Sequence, residues 1–433
     1  MSDTLATSRP DAPTAAAVEI VTLGCRLNGA ESDAMRTHAA DAGLTDAVII
    51  NTCAVTGEAV RQARQAIRRA RRERPDATLI VTGCAAQIDP ASFAAMPEVD
   101  RVIGNTEKMS AAAFAPDLDT LGGERVRVAD IMTVRETAPH LADGFSSRTR
   151  AYVQVQNGCD HRCTFCVIPF GRGNSRSVPA GAVIDQIHAL VTRGCPEVVL
   201  TGVDLTSWGA DLPGSPQLGN LVARILRLAP DLRMLRLSSL DVIEMDETLF
   251  ELVTGETRIA PYLHLSLQHG HDMILKRMKR RHSRAAAVDL CARLKAARPE
   301  IALGADVIAG FPTETEEHLQ ATIDLVDDCH LSFLHVFPFS PREGTPAARM
   351  PQLPRPVIKA RAARVRDAGT VALTRHLDRW VGRDATALIE EDGHARLADF
   401  TRVNLPAGPA DAGAYIRMRL SCHDGEALNG IVL

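Results

Sequence analysis

The sequence predicts an α/β protein in three parts: an N-terminal parallel α/β domain, a central partial (β/α)6 barrel, and a small C-terminal all-β barrel of OB-like architecture. Three observations predict it. Short apolar runs alternate with helical stretches from Val18 to about Asn105, the alternation resumes over six strand-helix units from Ala151, and the stretch from about Leu373 to Leu433 breaks into short strand-like runs.

Residues 1–17 are rich in Ala, Ser, Thr, Pro and Asp and read as a disordered tail, with too little positive charge for a transit peptide. In the first domain, 18–110, the runs Val18–Leu23, Ala47–Asn51, Thr78–Thr82 and Arg101–Gly104 read as strands, with a helix through Ala30–Ala42 and an arginine-rich one after the second strand. Each of the first three strands ends in a cysteine: Leu23-Gly24-Cys25, Asn51-Thr52-Cys53 and Thr82-Gly83-Cys84. Ligands of open α/β sheets bind beyond the carboxyl ends of the strands, so three thiolates distant in sequence converge there. Gly24 and Gly83 let the backbone bend around a bulky inorganic group. The plainer alternative is three ordinary buried cysteines, which their shared topological position disfavours.

Residues 111–150 read as a linker, broken by Gly122-Gly123 and Gly144–Ser147, with a strand expected in Arg125–Asp130. The core, 151–372, has strands at Tyr152–Gln156, Glu197–Thr201, Leu232–Ser238, Tyr262–Gln268, Ala302–Ile308 and Phe333–Phe337. Six units are too few to close an eight-stranded barrel, so an open one is expected, with its site at the carboxyl ends of the strands. At that end lies the second triad, Gly158-Cys159-Asp160-His161-Arg162-Cys163-Thr164-Phe165-Cys166. A structural zinc wants four ligands, whereas a four-iron cluster on three cysteines keeps one iron free. A zinc knuckle with His161 as substitute ligand is the alternative. His269 and His271 read as surface loop histidines without a role, and Cys195, Cys291, Cys329 and Cys422 as core or incidental.

The last part, 373–433, reads as strands Ala385–Glu390, Ala395–Leu405, Ala414–Ser421 and Gly430–Leu433. Small β-barrels of this size commonly meet nucleic acid. Phe400 and Tyr415 are its candidate base-stacking residues, too few for base readout to dominate. With a net charge of −4, any nucleic-acid partner must be held by local patches. Three exist: Arg61, Arg64, Arg68, Arg69, Arg71, Arg72 and Arg74; Lys276, Arg277, Lys279, Arg280, Arg281 and Arg284; and Arg355, Lys359, Arg361, Arg364 and Arg366. With no apolar leader and no long uncharged apolar run, the expectation is a cytoplasmic protein without a membrane partner, its thiols reduced and free to be ligands.

In order, these parts resemble the radical SAM methylthiotransferase family: N-terminal cluster domain, radical S-adenosylmethionine (SAM) core and TRAM domain. Thr22-Leu-Gly-Cys25-Arg-Leu-Asn28 and Asn51-Thr-Cys53-Ala-Val-Thr56 resemble its MtaB branch, which acts on N6-threonylcarbamoyladenosine in tRNA. Cys163-Thr-Phe-Cys166-Val-Ile-Pro-Phe-Gly-Arg172-Gly and Val336–Pro346 also fit the family. The resemblance implies that Cys25, Cys53 and Cys84 hold an auxiliary 4Fe-4S cluster and that Cys159, Cys163 and Cys166 hold the one that cleaves SAM. At the same end of the core, Phe165 and the polar, glycine-rich loop with Gly202 and Asp204 are expected to contact SAM, while catalytic side chains beyond the cluster ligands stay unassigned; the resemblance further implies a tRNA substrate bearing threonylcarbamoyladenosine and a small electron-donor protein. Alternatives are methylthiolation of isopentenyladenosine tRNA or of a ribosomal-protein aspartate and, in another class, a non-catalytic metal-containing RNA-binding protein.

Overall fold

The computed structural model describes residues 18–116, 124–135, 149–390, 393–405 and 411–433; the expected tail 1–17 and both glycine breaks of the expected linker lie outside them. The N-terminal sheet is β1 (Glu19–Thr22), β2 (Ala47–Thr52), β3 (Thr78–Gly83), β4 (Arg101–Ile103) and β5 (Val126–Arg127), all parallel and in that order, with α1 (Arg26–Asp41), α2 (Gly57–Glu73), α3 (Cys84–Ile88) and α4 (Pro90–Ala94) between them. All six residues of β2 are buried, as in a strand covered on both faces. β5 lies within the stretch where a linker strand was expected. In α2 only Ala63, Ile67 and Ala70 are buried, one stripe on an otherwise charged helix. Thr56 caps it, accepting from Ala59 N at 3.1 Å. α1 starts at Arg26 rather than Ala30 because Cys25 is its N-cap, the Cys25 carbonyl accepting from Gly29 N at 3.2 Å.

The central part comprises β6 (Ala151–Gln154), β7 (Gln156–Asn157), α5 (Ile168–Arg172), β8 (Arg176–Ser177), α6 (Ala180–Thr192), β9 (Glu197–Thr201), α7 (Leu218–Leu228), β10 (Met234–Leu237), α8 (Glu247–Gly255), β11 (Tyr262–Gln268), α9 (Asp272–Met278), α10 (Arg284–Ala297), β12 (Ala302–Ala309), α11 (Glu316–Asp328) and β13 (Leu331–Pro338). The parallel ribbons β6-β9-β10 and β11-β12-β13 are joined by a parallel bridge between Leu240 and Leu265, which makes the expected six-stranded partial barrel. Period-two alternation decides what each face does. Val153, Val155, Leu235, Leu237, Leu263, Leu265, Leu303 and Ala305 join the helices in one apolar core. Gln154, Arg236, Tyr262, His264 and Asp306 alternate with them and face inward. The barrel therefore has a polar lumen rather than a packed aliphatic interior. The N-terminal domain sits against its open side: α1 packs on β6, and Gly57 N donates to Ser340 Oγ at 3.1 Å beyond β13.

Helix α12 (Arg355–Asp378) runs through Leu373, where short strands were expected, and delivers the chain to β14 (Asp384–Ile389), β15 (His394–Leu397), β16 (Arg402–Asn404), β17 (Tyr415–His423) and β18 (Leu428–Val432), a closed barrel. The expected strand Ala395–Leu405 is split by a turn that holds Phe400 at φ 74°. The fold corrects the sequence reading of both aromatics. Phe400 stacks on Tyr262 with centroids 5.2 Å apart, and the guanidiniums of Arg26, Arg150, Arg236 and Arg396 lie within 5.7 Å of its ring. Tyr415 lies under Arg233 and donates to Glu197 Oε1 at 3.3 Å. Both rings are committed to closing the bottom of the central barrel, so neither is presented to a base. His269 is likewise no surface residue: it is 1% exposed and meets Glu314 Oε2 at 3.2 Å, while Gly310 N and Arg361 also bind Glu314. Cys195, Cys291 and Cys329 are buried as expected, and Cys422 is exposed. No helix among the described residues is long and apolar enough to cross a membrane.

Glu197, 1% exposed, holds the barrel floor together by accepting from Arg150 Nε at 3.0 Å and Arg236 Nε at 2.8 Å. Burial pushes its carboxyl up, but Arg236 and Arg150 overcome this and hold it below its ordinary 4.5. Its contribution is therefore present above that pH and lost as the pH falls through the depressed native value. Glu197→Ala leaves two buried guanidiniums short of a partner and is expected to cost about 3 kcal/mol or more in denaturant unfolding. The deficit should shrink as the pH is lowered, because the wild type then loses the same interaction.

Candidate active site between two cysteine triads

The first triad is made by backbone that only glycine permits. At Gly24, φ 93°, a Cβ would lie 2.5 Å from Cys53 Cβ and 2.6 Å from its Sγ; at Gly83, φ 95°, it would lie 2.4 Å from both Thr52 N and Thr52 O. Close approach thus brings the segments of Cys25, Cys53 and Cys84 together past the strand ends. Burial pushes the Cys53 thiol up to about 11, opposed by the backbone of Val55, and the neighbouring Cys84 and Cys25 add to the rise. Thiols that resist ionising together are a site that a cation completes. Cys25 is the exposed member, so the site opens on its side.

The second triad follows β7. At Gly158, φ 75°, a Cβ would lie 1.9 Å from Asn174 O, and Cys159 N donates to Gly173 O at 3.0 Å. Thr164 pins the middle of the loop to α9: its Oγ1 donates to Arg277 O at 2.8 Å and its N to Met278 O at 3.1 Å. Burial pushes the Cys166 thiol up to about 11, and among the charges that act on it are Cys163 and, from the other triad, Cys84. The two triads are neighbours. Helix α5 carries the chain from one to the other, since a Cβ on Gly171 would lie 3.2 Å from Cys84 Cβ.

A single zinc with bonds of about 2.3 Å would draw its thiolates to roughly 3.8 Å from one another. Among the described residues, the ligand groups gathered within 4.8 Å are His264/Asp306/His335 and His161/Asp241/Glu244, and neither triad is so compact. The wider spread suits a multi-iron cluster. His161, the candidate fourth zinc ligand, instead contacts Asp204 Oδ2 at 3.0 Å and Glu244 Oε1 at 3.5 Å. Asp204, and after it Glu244, raise it to about 10, and Arg281 Nη2 also reaches the same Nε2 at 2.9 Å, so that nitrogen is engaged by side chains and not free for a metal.

Beside the loops of the two triads lies a cavity of about 180 Å3, lined by Val55 and Thr56 just after Cys53, by Phe165 of the second triad's loop, and by Gln268, Asp306 and Phe337 of the barrel. Asp306 was not anticipated, although a lone acid in the apolar strand Ala302–Ala309 was the signal. Its Oδ1 accepts from His264 Nε2 at 2.9 Å and His335 Nδ1 at 3.2 Å, while Oδ2 makes no hydrogen bond among the described residues. Gln154, with both side-chain polar atoms buried and unpartnered, and Ser238 Oγ, likewise orphaned, leave polar capacity in the lumen for a ligand such as SAM. Asp204 accepts from Ser207 Oγ at 2.6 Å and from the Cys159 thiol at 3.6 Å. Gly202 makes room for Gln156, whose Oε1 would lie 2.8 Å from a Cβ there and accepts from Asp204 N at 2.8 Å.

The basic patches divide on inspection. Arg71 is spent on Glu98 O and Asp100, Arg280 on Asp241, and Arg361 on Glu314. Arg72, Lys276, Lys279, Arg355, Lys359 and Arg366 are exposed and enter no ion pair among the described residues, which leaves them for phosphate.

Family models match at residues 153–326, the Radical SAM superfamily, and at 17–104, the uncharacterized protein family UPF0004. A Rickettsia prowazekii protein named threonylcarbamoyladenosine tRNA methylthiotransferase MtaB is 50% identical over 89% of this chain and 91% of its own length. An Aquifex aeolicus protein of the same name is 33% identical over 93% and 99%. This chain belongs to the radical SAM methylthiotransferase family. A Cereibacter sphaeroides tRNA-2-methylthio-N(6)-dimethylallyladenosine synthase is 34% identical over 95% and 97%. The fold is shared with the radical SAM methyltransferase TsrM of Kitasatospora setae, at TM-score 0.52 and 18% identity over 74% of this chain and 68% of that one.

Because the Cβ of Gly24→Ala would strike Cys53 Sγ, this change is expected to empty the first triad alone, so that iron per anaerobically reconstituted chain falls from about eight to about four. Iron and labile-sulfide assays check this.

Proposed function

We propose that this enzyme installs sulfur and a methyl group on C2 of N6-threonylcarbamoyladenosine in tRNA, at the adenosine immediately 3′ to the anticodon. One observation carries the reading: the loops that carry two three-thiol sites, each one ligand short of closure, border a single cavity through Val55, Thr56 and Phe165, in a chain half identical to a relative bearing that name. Its cofactors are SAM and two 4Fe-4S clusters, which when bound supply a deoxyadenosyl radical able to attack an unactivated aryl C–H bond and a carrier for the inserted sulfur.

The protein's own part is to hold and separate. Cys159, Cys163 and Cys166 are the ligands of the SAM-cleaving cluster, and Cys25, Cys53 and Cys84 those of the auxiliary one. Phe165, Gly202 and Asp204, joined by the unsatisfied Gln154 and Ser238, form the SAM surround. Phe165 and Phe337 offer apolar faces to a base entering the cavity, and the Asp306 oxygen not held by the histidines accepts a ligand N–H or O–H. Below, Phe400 stacks on Tyr262 at the floor of the barrel. Exposed cations on α2, α9 and α12 meet tRNA phosphates. A small electron-transfer protein of the cytoplasm supplies the reducing electron, and all ten cysteines, unpaired in the structure, suit that compartment.

The test is mass spectrometry of tRNA nucleosides from a strain lacking its own threonylcarbamoyladenosine methylthiotransferase, with and without this protein. Appearance of 2-methylthio-N6-threonylcarbamoyladenosine is the expected result; product on isopentenyladenosine instead would transfer the substrate to the other tRNA branch. Cys159→Ala is expected to abolish deoxyadenosine formation, whereas Cys53→Ala keeps SAM cleavage and loses methylthiolated product.

A further inference from the structure

Arg172 belongs by sequence to the SAM-cleaving loop, but its side chain is spent on the other site. It is 2% exposed, and its Nε donates to Cys84 Sγ at 3.0 Å. Its two terminal nitrogens grip Glu31 and Asn28, with Nη2 to Glu31 Oε2 at 2.9 Å. Glu31, 1% exposed, accepts a second cation, Lys108 Nζ, at 2.7 Å, and Lys108 has no exposure at all. Two buried cations face one buried carboxylate, leaving one positive charge uncompensated beside three thiolates.

The other triad lives in a different field. The Cys159 thiol lies 3.6 Å from the Asp204 carboxylate, with Asp241 and Glu244 close by. The cations there, Arg280, Arg281 and His161, are all ion-paired to those acids, which leaves no positive charge in excess, and Arg280 reaches Cys163 Sγ only at 3.8 Å. The reduction potential of an iron-sulfur group follows its hydrogen bonds to sulfur, its burial and the net charge around it. A charged N–H on the sulfur and a buried positive charge favour the electron-rich state, and at low dielectric such terms are large.

We infer that Arg172 is the positioning residue that separates the two sites electrically: through its hydrogen bond to Cys84 and its buried charge it holds the auxiliary cluster at a higher reduction potential than the cluster on Cys159, Cys163 and Cys166. An electron supplied from outside is then retained more firmly at the sulfur-bearing site, while the SAM site remains the stronger reductant. This rests on the two-cluster reading above.

Potentiometric EPR titration of the anaerobically reconstituted full-length protein tests it, with the SAM-site signal, identified in Cys53→Ala, as internal reference. In wild type the auxiliary signal is expected to titrate at the higher potential. Arg172→Gln, which removes the charge, should move it downward, and Arg172→Lys, which keeps charge but loses the fork, should move it less. Lys108→Met, whose side chain touches no cysteine, should move it in the same direction and covers the case in which Arg172→Gln does not hold its cluster. Two clusters whose potentials do not respond to Arg172→Gln or Lys108→Met would overturn the inference and leave the two-cluster reading intact. A single cluster, or zinc, in the wild type would overturn both.

Discussion

The constraint on which this structure depends is that Glu31 cannot be buried alone. A carboxylate with 1% exposure is tolerable only with partners, and the partners come from separate parts of the chain: Arg172 from α5, the helix after the second triad, and Lys108 from beyond β4. Burial pushes the Glu31 carboxyl up, but Arg172 and Lys108 bring it down to about 2. Around it, Asn28 donates to Leu23 O at 2.7 Å and Thr52 O at 3.0 Å, and Asn51 donates to Asn28 O at 3.0 Å. These bonds tie the turns after β1 and β2, the positions of Cys25 and Cys53. One buried ion cluster therefore sets the first triad's geometry and also docks the central barrel on the N-terminal sheet.

The barrel's polar lumen has the same logic at larger scale. Inward side chains such as Gln154, His264 and Asp306 could not be sustained in a dry, closed interior without partners. The barrel stays open on one side, where the N-terminal domain brings Val55 and Thr56 to the cavity wall, and is closed beneath, where Phe400 sits among four guanidiniums. The N-terminal domain and the central barrel each supply a wall of that cavity. The C-terminal barrel closes the far end of the central barrel without reaching the chemistry.

Much of this was legible in the sequence, for identifiable reasons. Cys25, Cys53 and Cys84 announce themselves by recurring just past three strands, and the six barrel strands by their apolar runs. What was hidden was decided by packing between distant segments. Phe400 looked available to RNA because a sequence cannot say which way a turn at φ 74° aims its ring, and Tyr415 because its partners Arg233 and Glu197 lie in the central barrel. His269 looked like a loop residue because its partner Glu314 lies on another strand-helix unit. Arg172 stood in plain view within Pro169-Phe-Gly-Arg172-Gly, but only the fold shows that it serves the triad to which it does not belong in sequence.

The two proposed clusters, one on each triad, would lie close together, since Cys84 of one triad acts on Cys166 of the other. EPR of the dithionite-reduced, reconstituted protein, compared with Cys53→Ala and Cys159→Ala, tests this most directly, because neighbouring paramagnetic clusters broaden each other's signals and shorten their relaxation. The expected wild-type spectrum is broader and faster-relaxing than the sum of the two variants. A wild-type spectrum equal to that sum would contradict it.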